Sequence, residues 1–236
     1  MILIDLAIFA MFILFAIAGY HKGFLKAILN IATFFISLLG AWGLHSQLAQ
    51  TIKSSGKIIP LIVNYSESAD MLDSVESFRA VATDLSPEAL NDILAKSNLA
   101  HPLGTLLATN VQNAAFLPDG LQTLGDYLAM TIAHMTINIV SFIIIFLCFY
   151  IVFNLLINLY DYVFKFPVLK IFNSASGALL GFIQGFLVMF LVFSFVPIVL
   201  AFVPFPEISG FIEQSQMGKF YYHSNFIIDL IKGIIK

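Results

Sequence analysis

The residues able to do chemistry are few, and their spacing does not gather them into a reactive site. The five histidines are His21, His45, His101, His134 and His223. None forms the HExxH pair that places two zinc ligands on one helix face, and none sits beside a carboxylate in a ligand pattern. No GxSxG turn presents a serine nucleophile, and no dinucleotide fingerprint opens a helix. The single cysteine, Cys148, rules out an internal disulfide and lies within IIIFLCFYIVF, where a thiolate is disfavoured; it reads as packing. No catalytic residue, metal ligand or cofactor is therefore named, and a non-enzymatic role is expected.

Two other groups of residues carry more information. Gly177, Gly181 and Gly185 recur at four-residue spacing in SGALLGFIQGF, so they stack on one helix face and let another backbone come close. Gly19 and Gly23, followed by Phe24 and Leu25, echo Gly181 and Gly185, followed by Phe186 and Leu187. The second group is polar and sits in apolar surroundings. Asn30, Thr33 and Ser37 share one side of a helix, as do His134, Asn138 and Ser141; Asn154, Asn158 and Asp161 lie on a roughly opposite stripe, and Gln184 stands alone. Two readings stay open for Asn30, His134, Asn138, Asn154, Asn158 and Gln184. They make interhelical hydrogen bonds, or they form a track for a polar solute. Asp161 is expected at a membrane boundary, paired with Lys165.

The elements that must position these groups are membrane helices. About 20 apolar residues cross the hydrocarbon core, and four charge-poor windows qualify. The first runs from Leu6 to about Tyr20 and is short; the second begins after Lys26 and reaches His45. The third spans Tyr127 to Tyr160, and the fourth follows Lys170 until Pro197, Pro204 and Pro206 interrupt it. The first segment lacks a basic leader and a small-residue cleavage pattern, so it is expected to be retained.

Composition agrees. Hydrophobic residues make up 60% of the 236 and charged residues 11%, with a mean hydropathy of +0.95. A soluble domain carries about 25% charged residues, so a water-soluble fold is excluded. The net charge of −3 offers nothing to a phosphate backbone, which excludes nucleic acid as a partner. The expected fold is all-α: four transmembrane helices in two hairpins, with amphipathic helices in a long extracytoplasmic segment. The divisions are 1–45, 46–130, 131–200 and an interfacial tail, 201–236.

Orientation follows the lysines. Lys22 and Lys26 lie between the first two spans, and Lys165 and Lys170 lie between the last two. The positive-inside rule puts both connections in the cytoplasm, with both termini and segment 46–130 outside. Within that segment, Met71, Leu72, Val75 and Phe78 have helical period. SPEALNDILAK starts a second helix, with Ser86 as cap and Pro87 in the first turn. Residues 101–118 are uncharged but too short to span, and form a helix at the interface or packed back on the bundle. In the tail, Phe226, Ile227, Leu230, Ile231 and Ile234 form the apolar face of a short interfacial helix.

With Asp5 near the start, Gly19-Tyr20-His21-Lys22-Gly23-Phe24 in the first connection and Gly177 to Gly185 in the fourth span, the chain resembles the CvpA family, the colicin V production proteins of bacterial plasma membranes. The resemblance implies a role in toxin production, secretion or envelope function, with no defined activity. It carries over Gly19, Lys22, Gly23, Gly177, Gly181 and Gly185 as motif positions. The functional expectation is a membrane protein that assists production or export of a secreted product, in the company of lipid and a homo-oligomeric or other membrane-protein partner. The alternative is a small oligomeric channel or transporter for a polar solute or ion.

Overall fold

The computed structural model describes residues 2–66, 68, 71–97, 99–163, 170–203 and 206–232. The described residues are nearly all helical, and the sole β feature among them is an isolated antiparallel bridge between Val81 and Thr123. Four helical stretches are long and apolar enough to cross a membrane: Leu3–Lys22, Phe24–Ser54, Leu124–Leu159 and Asn173–Phe202. Their surfaces expose Leu3, Leu14, Leu39, Leu155, Leu159 and Leu179, each by more than half. Faces of that kind are built for hydrocarbon.

Helix α1 (Ile2–Lys22) has 21 residues, longer than the window expected, because Asp5 in its first turn and Lys22 in its last suit the helix dipole. Gly23 then breaks the chain with φ of +80°, a left-handed conformation that glycine alone adopts cheaply. Helix α2 (Phe24–Ser54) follows at once. Helices α3 (Ile58–Tyr65), α4 (Val75–Arg79), α5 (Pro87–Lys96) and α6 (Leu103–Gln112) lead to α7 (Leu124–Val163). With 40 residues, α7 is about 60 Å long, twice the hydrocarbon thickness. Its start is fixed by a reciprocal cap: Asp126 N–H donates to Thr123 Oγ1 at 3.1 Å, and Thr123 N–H donates to Asp126 Oδ2 at 3.2 Å. Two residues, Ser194 and Phe195, separate helix α8 (Lys170–Phe193) from α9 (Val196–Phe202), which carries Pro197 near its start. The interruption expected at that proline is present. The tail holds α10 (Pro206–Gln214), α11 (Gln216–His223) and α12 (Phe226–Lys232).

The helices cluster into two compact units. The first comprises Met1–Ser46, Val140–Ser194 and Phe211–Ile227; the second comprises Gln47–Ile139, Phe195–Gly210 and Ile228–Lys236. In the first unit α1 and α8 pack along their length, and α11 lies against both. In the second, α6 packs back on α7. Asn110 Nδ2 donates to Thr131 Oγ1 at 2.9 Å, Thr131 donates on to Tyr127 O at 2.6 Å, and Leu103, Leu106, Leu107 and Val111 are buried around them.

Two local expectations are corrected. Met71 and Leu72 are buried but precede the helix; α4 starts only at Val75, because Ser74 Oγ caps it by accepting Ser77 N–H at 3.1 Å. The short helix expected from the apolar face that begins at Phe226 is α12, and Ser215 and Asn225 stand at the starts of α11 and α12. Cys148 is exposed on α7 beside Leu147 and Ile151 and so faces outward, away from the packed core. The cap at Ser86 is as expected: its Oγ accepts Ala89 N–H at 3.2 Å.

Candidate functional site

The glycines of both motifs meet at one crossing in the first unit. A Cβ at Gly19 would overlap the carbonyl oxygen of Gly177, and one at Gly177 would overlap the carbonyl oxygen of Gly19. A Cβ at Gly181 would overlap Phe15 O and lie 3.0 Å from Gly19 Cα. Only hydrogen at these positions lets α1 and α8 approach backbone to backbone. A Cβ at Gly185 would meet the side chain of Phe15, 2.9 Å from its Cβ. Gly23 packs under Asn173, whose Nδ2 would be 2.5 Å from a Cβ there. The helices run antiparallel, since Gly19 faces Gly177 while Phe12 faces Phe182 and Phe186.

Asn173 was not singled out in the sequence, yet it joins the two motifs. Its Oδ1 accepts Phe24 N–H at 2.7 Å, capping α2 at the residue after the left-handed glycine. An asparagine one turn ahead of Gly177 is the signal available for it. Lys22 is exposed at this end. The side chain of Asp161 and all of Lys165 lie outside the described residues, and so does their expected pairing.

The polar residues divide between the units. In the first, Asn30 is 4% exposed and Gln184 5%. Gln184 Nε2 donates to Tyr150 Oη at 3.0 Å, tying α8 to α7. Asn154 turns its amide onto its own helix, donating to Tyr150 O at 2.7 Å, and Asn158 is exposed. Ser37 and Ser141 are fully buried, and their hydroxyls have no hydrogen-bond partner among the described residues. His45 Nδ1 sits 2.9 Å from Ala41 O and 3.0 Å from Trp42 O, both acceptors, so that nitrogen carries the proton. Its ring packs against Phe142. In the second unit Asn138 is buried, and His134 packs edge-on against Phe116. Such a set supplies neutral donors and acceptors. Among the described residues no group of three His, Cys, Asp or Glu side chains is placed to hold a metal ion.

The other end of the α1–α8 pair is occupied by the tail. Asp5 Oδ1 accepts both Ser215 Oγ–H at 2.7 Å and Met217 N–H at 2.9 Å, while Ser215 Oγ accepts Gly218 N–H at 2.8 Å. Helix α11 is thereby capped by a residue of α1. Tyr221 packs against Phe190 and Phe193 of α8, and Asn225 Nδ2 donates to Phe190 O at 2.9 Å. Burial pushes the Tyr221 phenol well above its ordinary value. Glu213 accepts His223 Nε2–H at 2.5 Å and lies 3.6 Å from Lys219 Nζ. Partial burial works against its charge, but these two partners outweigh it and hold the carboxyl below its usual range.

The family model described as Colicin V production protein matches residues 93–224, more than half of the chain. The chain belongs to that family. No curated protein and no solved structure matches it. The colicin V production match runs from α5 through α11, taking in the Gly177, Gly181 and Gly185 face, Gln184, and the tail residues that contact Asp5. Gly19, Lys22 and Gly23 lie ahead of the matched residues. Their link to the family motif is spatial, made by the crossing itself.

Proposed function

We propose that this membrane protein assists production or secretion of a toxin or bacteriocin without catalysing a reaction, through contacts with partners in the bacterial plasma membrane. The observation that carries the reading is the glycine crossing: the family-matched face of α8 is spent on holding α1. The outward faces of the spans are left as apolar surface for lipid and protein. The two basic connections support an orientation with both termini and segment 46–130 outside the cytoplasm. In a bacteriocin-producing strain lacking the gene, secreted activity is expected to fall and to return with the wild-type chain. Gly181→Leu, which wedges the crossing, is expected not to restore it, although the variant still reaches the membrane. Undiminished secretion without the gene would overturn the reading.

A second reading is a small oligomeric channel or transporter. It draws its support from the buried hydroxyls of Ser37 and Ser141, without a partner among the described residues, and from buried Asn30 and Gln184. Polar groups inside a membrane bundle are costly unless they meet a hydrogen-bond partner, and a polar solute would be one.

A further inference from the structure

Asp5 is the one acid in α1, which otherwise reads as hydrocarbon from Ile2 to Gly19. It stands in the first turn, where the helix dipole favours an acid, and its partners indicate what else it does. Here a single carboxylate oxygen receives two donors from the tail, and the serine that supplies one of them caps the same helix. The packing beneath is of a different kind from the crossing. At Gly19 and Gly177 backbone meets backbone, whereas nearer Asp5 the two helices touch through rings, with Phe12 and Phe182 centroids 5.0 Å apart and Phe12 and Phe186 6.3 Å apart. At the Asp5 end α11 lies against both helices. A cleft of about 180 Å³ remains under α11, walled by Phe12, Phe186, Gln216, Met217, Phe220 and Tyr221.

We propose that residues 211–227 form a strap over the Asp5 end of the α1–α8 pair, and that Asp5 is the latch that holds it closed. Because both donors converge on one oxygen, the latch depends on an acceptor at that position. Release would leave the glycine crossing intact and uncover the aromatic wall of α8. Asp5 is thus a positioning residue, acting through Ser215 and the first turn of α11.

The test is hydrogen exchange by mass spectrometry on the full chain in lipid nanodiscs. Asp5→Ala is expected to raise exchange across 215–223 by about tenfold or more, the scale of one lost charge-assisted bond, while peptides within 12–20 and 177–190 stay protected. Asp5→Asn keeps a carbonyl oxygen in place and is expected to retain most of the protection. Ser215→Ala, which lies outside the spans, removes one donor and the cap and is expected to fall between the two; it also serves if Asp5→Ala does not fold. Unchanged protection of 215–223 in the Asp5→Ala and Ser215→Ala proteins would overturn the latch. Equal loss over 12–20 and 177–190 would overturn the strap, since Asp5 would then hold the whole pair. Opening by Asp5→Asn as wide as by Asp5→Ala would overturn the acceptor mechanism.

Discussion

At the scale of single residues the protein is most sensitive where it has no side chain at all. Gly177 and Gly43 are both helical glycines in apolar helices, and ordinary helix propensity favours alanine at each by about 1 kcal/mol. Their surroundings reverse the outcome at one of them. A methyl at Gly43 meets nothing within 4 Å, whereas at Gly177 it overlaps Gly19 O and lies 2.9 Å from the Gly23 backbone. Backbone cannot swing aside as a side chain does. Gly177→Ala is therefore expected to destabilise by about 3 kcal/mol or more, the upper end of the usual overpacking range, while Gly43→Ala is neutral or slightly stabilising. Thermal unfolding of both variants in detergent checks this, and equal midpoints would mean that the crossing is loose.

At the scale of elements, α11 is held by specific polar caps and by a ring that buries an unused hydroxyl. Tyr221 is 1% exposed, and its Oη has no partner among the described residues. A buried donor left unsatisfied costs about 1–3 kcal/mol, so Tyr221→Phe is expected to stabilise the docked helix by about 1 kcal/mol. The pH dependence has a definite sign. Burial raises the phenol above its unfolded value of about 10. The unfolded form thus loses its proton first, and the stability present below that pH is lost as pH rises through and beyond it. The gap between Tyr221→Phe and wild type is expected to widen above about pH 10, measured as the thermal midpoint across an alkaline series; a constant gap would place the hydroxyl in contact with water. These contacts also mark what the sequence could convey. Apolar length announced the four spans, Pro197 announced the end of α8, and the Ser86-Pro87 pair announced α5, because each signal is local. The period from Met71 to Phe78 misled, since a serine cap at Ser74 outweighed it. Glycine spacing marked a face in need of a close neighbour, and the Gly19 echo named a candidate. The roles of Asp5 and Asn173 rest on partners 210 and 149 residues away, a separation that no local pattern encodes.

At the scale of the whole molecule, the question is whether the buried polar groups serve packing or passage. The polar side chains differ in how they are satisfied, and that difference makes the choice measurable. Asn154 bonds to its own helix, and Gln184 bonds across to Tyr150. If they serve packing, Gln184→Leu should loosen the α7–α8 contact by about 1 kcal/mol, in the range of interhelical bonds in membranes. Asn154→Leu should cost less, and neither should affect solute movement. If they serve passage, purified protein in proteoliposomes should pass ions or small polar solutes, and both substitutions should lower that flux without lowering the thermal midpoint in proportion. Ser37→Ala sharpens the comparison. Its hydroxyl has no partner among the described residues, so under packing it should be neutral or stabilising, and under passage it should reduce flux. A folded wild-type protein that passes no member of a broad solute panel would leave the partner-binding reading, because the polar groups would then have no role beyond joining helices.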